Sequence, residues 1–282
     1  MEEKQIMIKK SSGNLEPFSS RKLKDSLRNC DVSSDEIDSI ISQVIPQLYD
    51  GISSKEIHNK VFPLLKKYHR ISASKYRLKK GIFELGPTGF PFERLIAALL
   101  MEKGYHATVS VVLNGKCVTH EIDVLAEKDR NTYAIECKFH SHPKDVSNVK
   151  VPLYINSRFL DVQQQWNSDP KKTTHLKQGW LVTNTRFTID AVNYGKCIGL
   201  TLLSWDYPKN NGMKTNIDAY GLYPITVLTT LTKKEKNQLI SKNIILVKEL
   251  VRAPYSLKEL ELNSGRINNI LSEAGQLCRT KL

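Results

Sequence analysis

The chain has 282 residues and a net charge of +13, from 42 Lys and Arg against 29 Asp and Glu. With 40% hydrophobic and 25% charged residues, the composition excludes wholesale disorder, and the length suits two or three domains that each bury a core. No apolar run approaches the roughly 20 residues of a membrane span, and the chain does not begin with a signal peptide, so we expect a cytoplasmic protein.

The first segment, residues 1–85, ends before the helix-breaking sequence Gly86-Pro87-Thr88-Gly89. It begins with a predicted β-hairpin whose strands cover residues 5–10 and 15–18. Three serine pairs can then cap helices through their hydroxyls. The predicted helices run through Arg28, along the apolar pattern of residues 37–48, and along that of residues 57–65. We therefore predict a hairpin followed by a small helical bundle.

Four short sequences in this segment carry a family resemblance: Ile8-Lys9-Lys10, Glu16-Pro17-Phe18-Ser19, Lys22-Leu23 and Tyr49-Asp50-Gly51-Ile52-Ser53-Ser54-Lys55-Glu56-Ile57-His58. With them, residues 6–85 resemble the ATP-cone, the nucleotide-sensing domain of ribonucleotide reductases and of their transcriptional repressor. The resemblance implies that ATP or dATP binds as an effector. It places Lys9, Lys10 and Lys22 at the phosphates, Glu16 and Ser19 at the base or ribose, and Ser54 and His58 beside the nucleotide on the third helix. Lysines and a helix N-terminus are suited to phosphate.

The middle segment, about residues 86–208, alternates helical and strand patterns. This order predicts an α/β sandwich around a mixed sheet. The predicted elements are a helix over 92–103, strands near 107–113, 118–126 and 132–138, a helix near 150–166, a strand over 179–183, a helix over 189–196 and a strand over 200–203.

Two β-rich runs within residues 120–140 flank the turn sequence Lys128-Asp129-Arg130-Asn131. If the two central residues form the loop of a hairpin, Asp123 lies directly opposite Glu136. The same register pairs Glu121 with Lys138 on that charged face. The other face then carries the apolar pairs Ile122–Cys137, Val124–Ile135 and Ala126–Tyr133, and a register of the other parity would scramble both faces.

Two carboxylates opposed on one face of a hairpin repel each other unless a cation lies between them. A hard cation such as Mg²⁺ or Mn²⁺ suits carboxylate oxygens, waters and a backbone carbonyl, so Asp123, Glu136 and Cys137 are the candidate metal ligands. Lys138, on the same face, can position a metal-bound water and stabilise developing negative charge. Taken alone, this spacing fits a solvated charged face better. The five scattered cysteines form no Cys-x-x-Cys pair, so a zinc site is not indicated.

The surrounding sequence carries a second resemblance, over about residues 88–206. The matching parts are Gly89-Phe90-Pro91-Phe92-Glu93-Arg94-Leu95-Ile96, Gly104-Tyr105, Glu121-Ile122-Asp123-Val124, Ala134-Ile135-Glu136-Cys137-Lys138 and Gly179-Trp180-Leu181-Val182-Thr183-Asn184. They are similar to the Mrr-like branch of the PD-(D/E)xK nucleases. The resemblance implies that Asp123 and Glu136 bind metal and that Lys138 is catalytic. It also implies that Glu93 completes the site, although a glutamate beside the apolar stripe of this helix is equally explained by exposure.

The last segment follows a predicted linker at residues 208–216, and its helical tail covers residues 215–282. The stretch Leu257-Lys258-Glu259-Leu260-Glu261-Leu262-Asn263-Ser264-Gly265-Arg266-Ile267 fits either a degenerate helix-hairpin-helix that grips DNA or a packing or dimerisation bundle, since it lacks Gly-x-Gly. In the middle segment, Arg158 and Asp161 lie one helical turn apart and are expected to form a structural pair.

Together the segments predict an α/β multidomain protein. Its parts are an N-terminal hairpin with a helical bundle, a restriction-endonuclease-like α/β/α core with a mixed sheet, and a small C-terminal helical domain. We expect a Mg²⁺-dependent endonuclease that acts on double-stranded DNA under ATP or dATP control, as a homo-oligomer.

The charge distribution agrees with a nucleic-acid partner. The basic excess is +5 in the first segment, +2 in the middle and +6 in the last, as for an acidic active site flanked by basic regions that hold a polyanion. Solvated lysine faces give the same balance. The alternative function is a nucleotide-responsive DNA-binding regulator that uses the nuclease fold as a platform, but the set Asp123, Glu136 and Lys138 favours an enzyme.

Overall fold

The computed structural model describes residues 5–10 and 13–279. Its N-terminal part is a small two-stranded sheet followed by helices. The elements are β1 (Met7–Lys9), β2 (Leu15–Pro17), α1 (Ser20–Arg28), α2 (Ser34–Val44), α3 (Ser54–Tyr68), α4 (Arg70–Tyr76) and α5 (Leu78–Phe83). Strands β1 and β2 pair antiparallel, so the predicted hairpin and helical bundle are confirmed.

Serine caps set the starts of two of these helices. Ser33 and Ser53 each form a capping box with the glutamate three residues later. Helix α2 ends at Val44, short of the predicted Leu48, because Pro46 cannot donate the hydrogen bond that another α-helical turn requires. A short 3₁₀ helix at Ile45–Gln47 takes its place.

The middle part is a five-stranded mixed sheet between helices. The elements are α6 (Phe90–Glu102), β3 (His106–Asn114), β4 (Thr119–Lys128), β5 (Asn131–Lys138), α7 (Lys150–Ser168), β6 (His175–Thr183), α8 (Ile189–Cys197) and β7 (Thr201–Leu203). The strand order is β3-β4-β5-β6-β7, antiparallel from β3 to β5 and parallel from β5 to β7. The predicted α/β sandwich around a mixed sheet is confirmed.

Each face of this sheet packs against its own helices. On one face, Phe92 and Leu99 of α6 lie in one buried cluster with Val124 and Ile135. On the other face, α7 supplies buried Ile155, Phe159, Val162 and Trp166, and Val192 of α8 packs beside them. Asp123, Glu136 and Lys138 therefore lie on strands that helices cover on both faces.

The β4–β5 hairpin has the predicted register near its turn but not at the acidic residues. Asp129 and Arg130 both have φ near +55°, as a two-residue turn requires, and Val124 pairs with Ile135. The ladder ends at that pair, so the predicted pairing of Asp123 with Glu136, and of the residues beyond, is wrong. The Asp123 carboxylate accepts the N–H of Cys137 at 2.6 Å and replaces the ladder there.

A second irregularity lies at the same position. The β3–β4 ladder has no pair at Asp123 either, and Ser110 opposite it has a φ of +52°. The predicted common apolar face is confirmed for five residues, Val124, Ala126, Tyr133, Ile135 and Cys137, which pack on the α6 side, and is wrong only for Ile122, which packs on the α7 side. Such local irregularities re-aim side chains, and this one turns Asp123 toward the end of β5.

The C-terminal part is helical and packs onto both preceding parts. The elements are α9 (Met213–Tyr220), α10 (Lys233–Ser241), α11 (Val247–Arg252) and α12 (Ser264–Cys278), with 3₁₀ helices at Ile225–Val227 and Pro254–Leu260. The predicted linker at residues 208–216 is wrong in its second half, because α9 begins at Met213, whose side chain is fully buried in the main core.

The stretch considered as a helix-hairpin-helix contributes buried residues to the core. Its first part lies in the 3₁₀ helix Pro254–Leu260, and α12 begins at Ser264, with Asn263 as the cap. Leu257 is fully buried in the core that also contains Ile270. Within the described ranges, no helix has the length and apolar character that crossing a membrane requires.

Candidate active site

Three elements bring the acidic candidates together. Glu136 lies near the end of β5, Asp123 lies beside it on β4, and Glu93 lies in the first turn of α6. Asp123 is fixed by the N–H of Cys137, between Glu136 and Lys138. The site thus forms where β4 and β5 separate.

The electrostatics show that these acids affect one another. Burial, and then the negative charge of Asp123, raise the pKa of Glu136 to about 7. Burial also raises the pKa of Asp123, although the hydrogen bond from Cys137 opposes the shift. The pKa of Glu93 rises to about 7 through burial and the charges of the neighbouring acids, Asp123 first. The cluster therefore holds more negative charge than it can easily ionise, which favours a cation.

Lys138 can contribute a charged side chain to the site, whereas Cys137 can contribute only its backbone. Lys138 is exposed, and its positive charge lowers the pKa values of both Asp123 and Glu136, so it faces the same acids. The Cys137 thiol is buried, and burial raises its pKa well above the usual range, so it stays protonated. Only the backbone of Cys137 is suited to metal binding, and its carbonyl also accepts the N–H of Phe139 at 3.2 Å.

Arg158 of α7 is the functional candidate that sequence reasoning missed. Its guanidinium donates to Glu136 at 2.7 Å and to the backbone carbonyl of Glu121. The predicted pair of Arg158 with Asp161 is wrong, because Asp161 instead accepts from His120 and from N–H groups of the β3–β4 turn. The sequence does contain a signal, since Arg158 lies three residues after buried Ile155 and therefore faces the sheet.

The acidic residues suit a Mg²⁺ or Mn²⁺ ion that also keeps bound water molecules. Among residues 5–10 and 13–279, no group of three or more His, Cys, Asp or Glu side chains is arranged to hold a metal. Mg²⁺ does not need one, because it keeps several waters and binds one or two carboxylates together with substrate phosphate. Asp123 and Glu136, whose pKa values are raised chiefly by burial, are suited to that arrangement.

The nucleotide-site candidates form two groups. Glu16 lies 3.5 Å from the Lys10 ammonium and 3.6 Å from that of Lys22, while Lys9 ends β1 and Ser19 caps α1. A separate cleft is lined by Lys22, Ser54 and His58 but not by the other four. Ser53 rather than Ser54 is the α3 cap, so the Ser54 hydroxyl is not used in capping. His58 stacks on Tyr76 with ring centroids 4.6 Å apart.

Comparison with known proteins gives the family. Three family models match in chain order: an ATP cone domain over residues 6–79, a restriction endonuclease over 87–206 and the C-terminal part of AF1548-like proteins over 223–278. An uncharacterized protein of Archaeoglobus fulgidus is 34% identical over 180 residues, which make up 64% of this chain and 97% of that protein. The chain belongs to the AF1548-like family.

A crystal structure agrees with this family assignment. The crystal structure of the protein of unknown function AF1548 matches with a TM-score of 0.56 and 32% identity, over 68% of this chain and 98% of that one. Both resemblances seen in the sequence, to the ATP-cone and to the Mrr-like endonucleases, are confirmed by the family models. In this AF1548-like chain, the acidic site therefore lies in the restriction endonuclease domain, and the Lys22, Ser54 and His58 cleft adjoins the ATP-cone.

Proposed function

We propose that this protein is a Mg²⁺-dependent endonuclease that hydrolyses phosphodiester bonds of double-stranded DNA under ATP or dATP control. The observation that carries the proposal is the convergence of Asp123, Glu136 and Lys138 at the end of β5, where β4 separates from it, inside a domain that matches a restriction endonuclease. The net charge of +13 supports a polyanionic substrate.

Each residue has a distinct role in the proposed hydrolysis. Asp123 and Glu136 hold the ion, which when bound lowers the pKa of a water and neutralises charge on the phosphate. Lys138 orients the attacking water and stabilises the negative charge that develops on the phosphate oxygens. Glu93 adds a third carboxylate from α6, and Arg158 holds Glu136 in position from α7.

Plasmid cleavage with purified protein tests this function. We expect nicking or linearisation with Mg²⁺ or Mn²⁺ and none with EDTA. Glu136→Gln should remove cleavage, and Lys138→Ala should lower the rate by about 100-fold or more, since it removes transition-state stabilisation. Both variants should keep their fold and retain DNA.

Two matched controls lie in the same domain. Glu127→Gln alters the far end of β4, and Lys196→Ala removes an exposed lysine of α8. Both should cleave like the unaltered protein. Equal cleavage by all four variants would exclude the assigned site. DNA retention without any cleavage by the unaltered protein would instead support the nucleotide-responsive regulator.

A further inference from the structure

A cleft of about 470 Å³ lies between the ATP-cone and the parts of the chain that follow it. Its size is within the roughly 300–1,000 Å³ of small-ligand sites. The first part of the chain supplies Lys22, Asp25, His58, Lys75, Tyr76 and Lys79 to its lining. Two further lining residues, Trp205 and Lys214, lie outside the ATP-cone match at residues 6–79.

The charge of this lining suits a polyphosphate. It contains four lysines, Lys22, Lys75, Lys79 and Lys214, against the single carboxylate of Asp25. Lysine ammonium groups bind phosphate as point charges. Three of these lysines already have carboxylate neighbours, since Lys22 lies 3.6 Å from Glu16, Lys75 lies 2.6 Å from Asp31 and Lys214 lies 2.5 Å from Asp218. A triphosphate in the cleft therefore competes with these carboxylates for the lysine ammonium groups.

The aromatic rings of the cleft suit a nucleoside. The Trp205 ring lies 5.3 Å from the Lys79 ammonium, and the stacked rings of His58 and Tyr76 lie in the same cleft. Burial lowers the pKa of His58 to about 4, so this ring is neutral at physiological pH and can accept a hydrogen bond. Aromatic rings provide stacking surfaces for bases.

The backbone holds Trp205 and Lys214 together on the endonuclease side. The Trp205 carbonyl accepts the N–H of Lys214 at 3.2 Å, and the Trp205 N–H donates to the carbonyl of Thr185 at 3.4 Å. Thr185 follows β6 by two residues, and β6 pairs its last residue, Thr183, with Lys138 of the candidate active site. One wall of the cleft is thus built on the end of the catalytic sheet.

We infer that Trp205 and Lys214 complete a nucleoside triphosphate site, with Trp205 against the nucleoside and Lys214 at the phosphates. The inference rests on the proposed nucleotide control and adds to it, because the ligand then contacts the endonuclease side directly. A nucleotide in this cleft joins the ATP-cone to the segment that follows β7.

Calorimetric titration of the full chain with ATP tests the two residues. Trp205→Leu and Lys214→Ala should each raise the Kd for ATP by about tenfold or more, the size expected for loss of a charged or stacking contact. Trp205→Phe and Lys214→Arg should recover most of the affinity. Lys209→Ala, an exposed lysine of the same loop outside the cleft, should bind ATP as the unaltered chain does.

Two further measurements test the nucleoside contact of Trp205 and the phosphate contact of Lys214 separately. ATP should quench tryptophan emission in the unaltered chain and in Trp180→Phe, but not in Trp205→Phe. Inorganic tripolyphosphate should bind more weakly to Lys214→Ala but equally well to Trp205→Leu.

The possible outcomes are distinct. If the unaltered chain binds ATP and both Trp205→Leu and Lys214→Ala bind it equally well, the inference is wrong while nucleotide control survives. If the unaltered chain binds no nucleotide, both the inference and the nucleotide control are wrong. Thermal melting of each variant without ligand establishes that it is folded.

Discussion

Arg158 provides positive charge beside the carboxylates of the candidate active site. Its guanidinium and the Glu136 carboxylate are both largely buried, with 15% and 18% of their side chains exposed. Breaking a buried ion pair by removing one partner costs far more than the pair contributes when intact, because the other charge stays buried and uncompensated. The charge of Glu136 on β5 is therefore compensated by a residue of α7.

Arg158→Ala should lower the free energy of unfolding in metal-free buffer. We expect a loss of about 3 kcal/mol, the lower end for a buried ion pair that loses one partner. Mg²⁺ should restore more stability to the variant than to the unaltered chain, since a ligand that binds only the folded state stabilises it. Urea denaturation in EDTA and then in Mg²⁺ measures both effects.

Arg21→Ala is the matched control for this prediction. Arg21 is 91% exposed and lies 4.0 Å from Asp25, so its loss should change stability by less than about 0.5 kcal/mol. An Arg158→Ala variant as stable in EDTA as Arg21→Ala would show that the ion pair with Glu136 contributes nothing.

For individual residues, the sequence predicts which side chains belong to the candidate site better than it predicts their positions and partners. Asp123, Glu136 and Lys138 were found because hairpin register relates neighbouring strands directly. Their predicted opposition failed because the Asp123 side chain itself takes a backbone hydrogen bond, which no hydrophobic pattern encodes. Arg158 was assigned to a neighbour on its own helix because its partner on β5 is 22 residues away in sequence.

Among the elements, α4, α5 and α12 form the joint between the N-terminal and C-terminal parts. The buried Glu273 carboxylate of α12 accepts the Ser74 hydroxyl of α4 at 2.6 Å. It also accepts the N–H groups of Thr229 and Thr230 at 2.8 and 3.0 Å. On α5, a Cβ at Gly81 would lie 2.7 Å from the Val227 side chain, so α5 and the 3₁₀ helix Ile225–Val227 are in close contact. The joint is tightly packed.

Glu273→Ala should weaken this joint strongly. It leaves the hydroxyl and two part-buried N–H groups without this acceptor, at a cost of about 3 kcal/mol in unfolding free energy. Glu273→Gln keeps one carbonyl oxygen and should lose less. Urea denaturation measures the difference, with Gln276→Ala on the exposed face of α12 as the control. A loss from Glu273→Ala no larger than that from the control would mean that the joint tolerates unpaired donors.

The elements of the sheet were predictable, whereas those of the joint were not. The alternation of strand and helix patterns along the chain predicted the mixed sheet, because each strand has its own pattern of buried residues. Helices α4 and α5 have no side-chain cap hydrogen bond, so the start signals used for α1 to α3 are missing. Residues 208–212 contain turn-forming residues and predicted a linker, but tertiary burial of Met213 and Ile217 begins α9 directly after them.

At the scale of the whole molecule, the hydrophobic cores divide the described residues differently from the sequence segments. Ile37, Ile40 and Val61 belong to a core confined to the N-terminal part. The last helix of that part, α5, instead buries Leu78 and Ile82 in the core shared by α6 and the C-terminal helices. A change in the ATP-cone that moves α5 must therefore disturb packing beneath the endonuclease sheet. This arrangement is the physical basis for expecting coupling between nucleotide and cleavage.

Coupling predicts that ATP or dATP stabilises the full chain and changes either its cleavage rate or its oligomeric state. Binding to the folded form alone contributes about 2.7 kcal/mol at a ligand concentration of 100 times Kd, so the melting temperature should rise. Lys9→Ala combined with Lys22→Ala should abolish the rise by removing phosphate contacts, and so should His58→Ala. Lys55→Ala, an exposed lysine in the first turn of α3, is the matched control.

Thermal stabilisation alone does not establish regulation. A ligand moves an equilibrium only by its different affinity for the two states, so cleavage or assembly must itself respond to nucleotide. Plasmid cleavage and light scattering with and without ATP measure the two responses on the same preparation. Because α4 and α5 join the ATP-cone to the shared core, Glu273→Ala should reduce the response of cleavage or assembly to ATP. If ATP raises the melting temperature yet leaves both cleavage and assembly unchanged, the ATP-cone binds nucleotide without controlling the endonuclease, and the regulatory half of the proposed function is wrong.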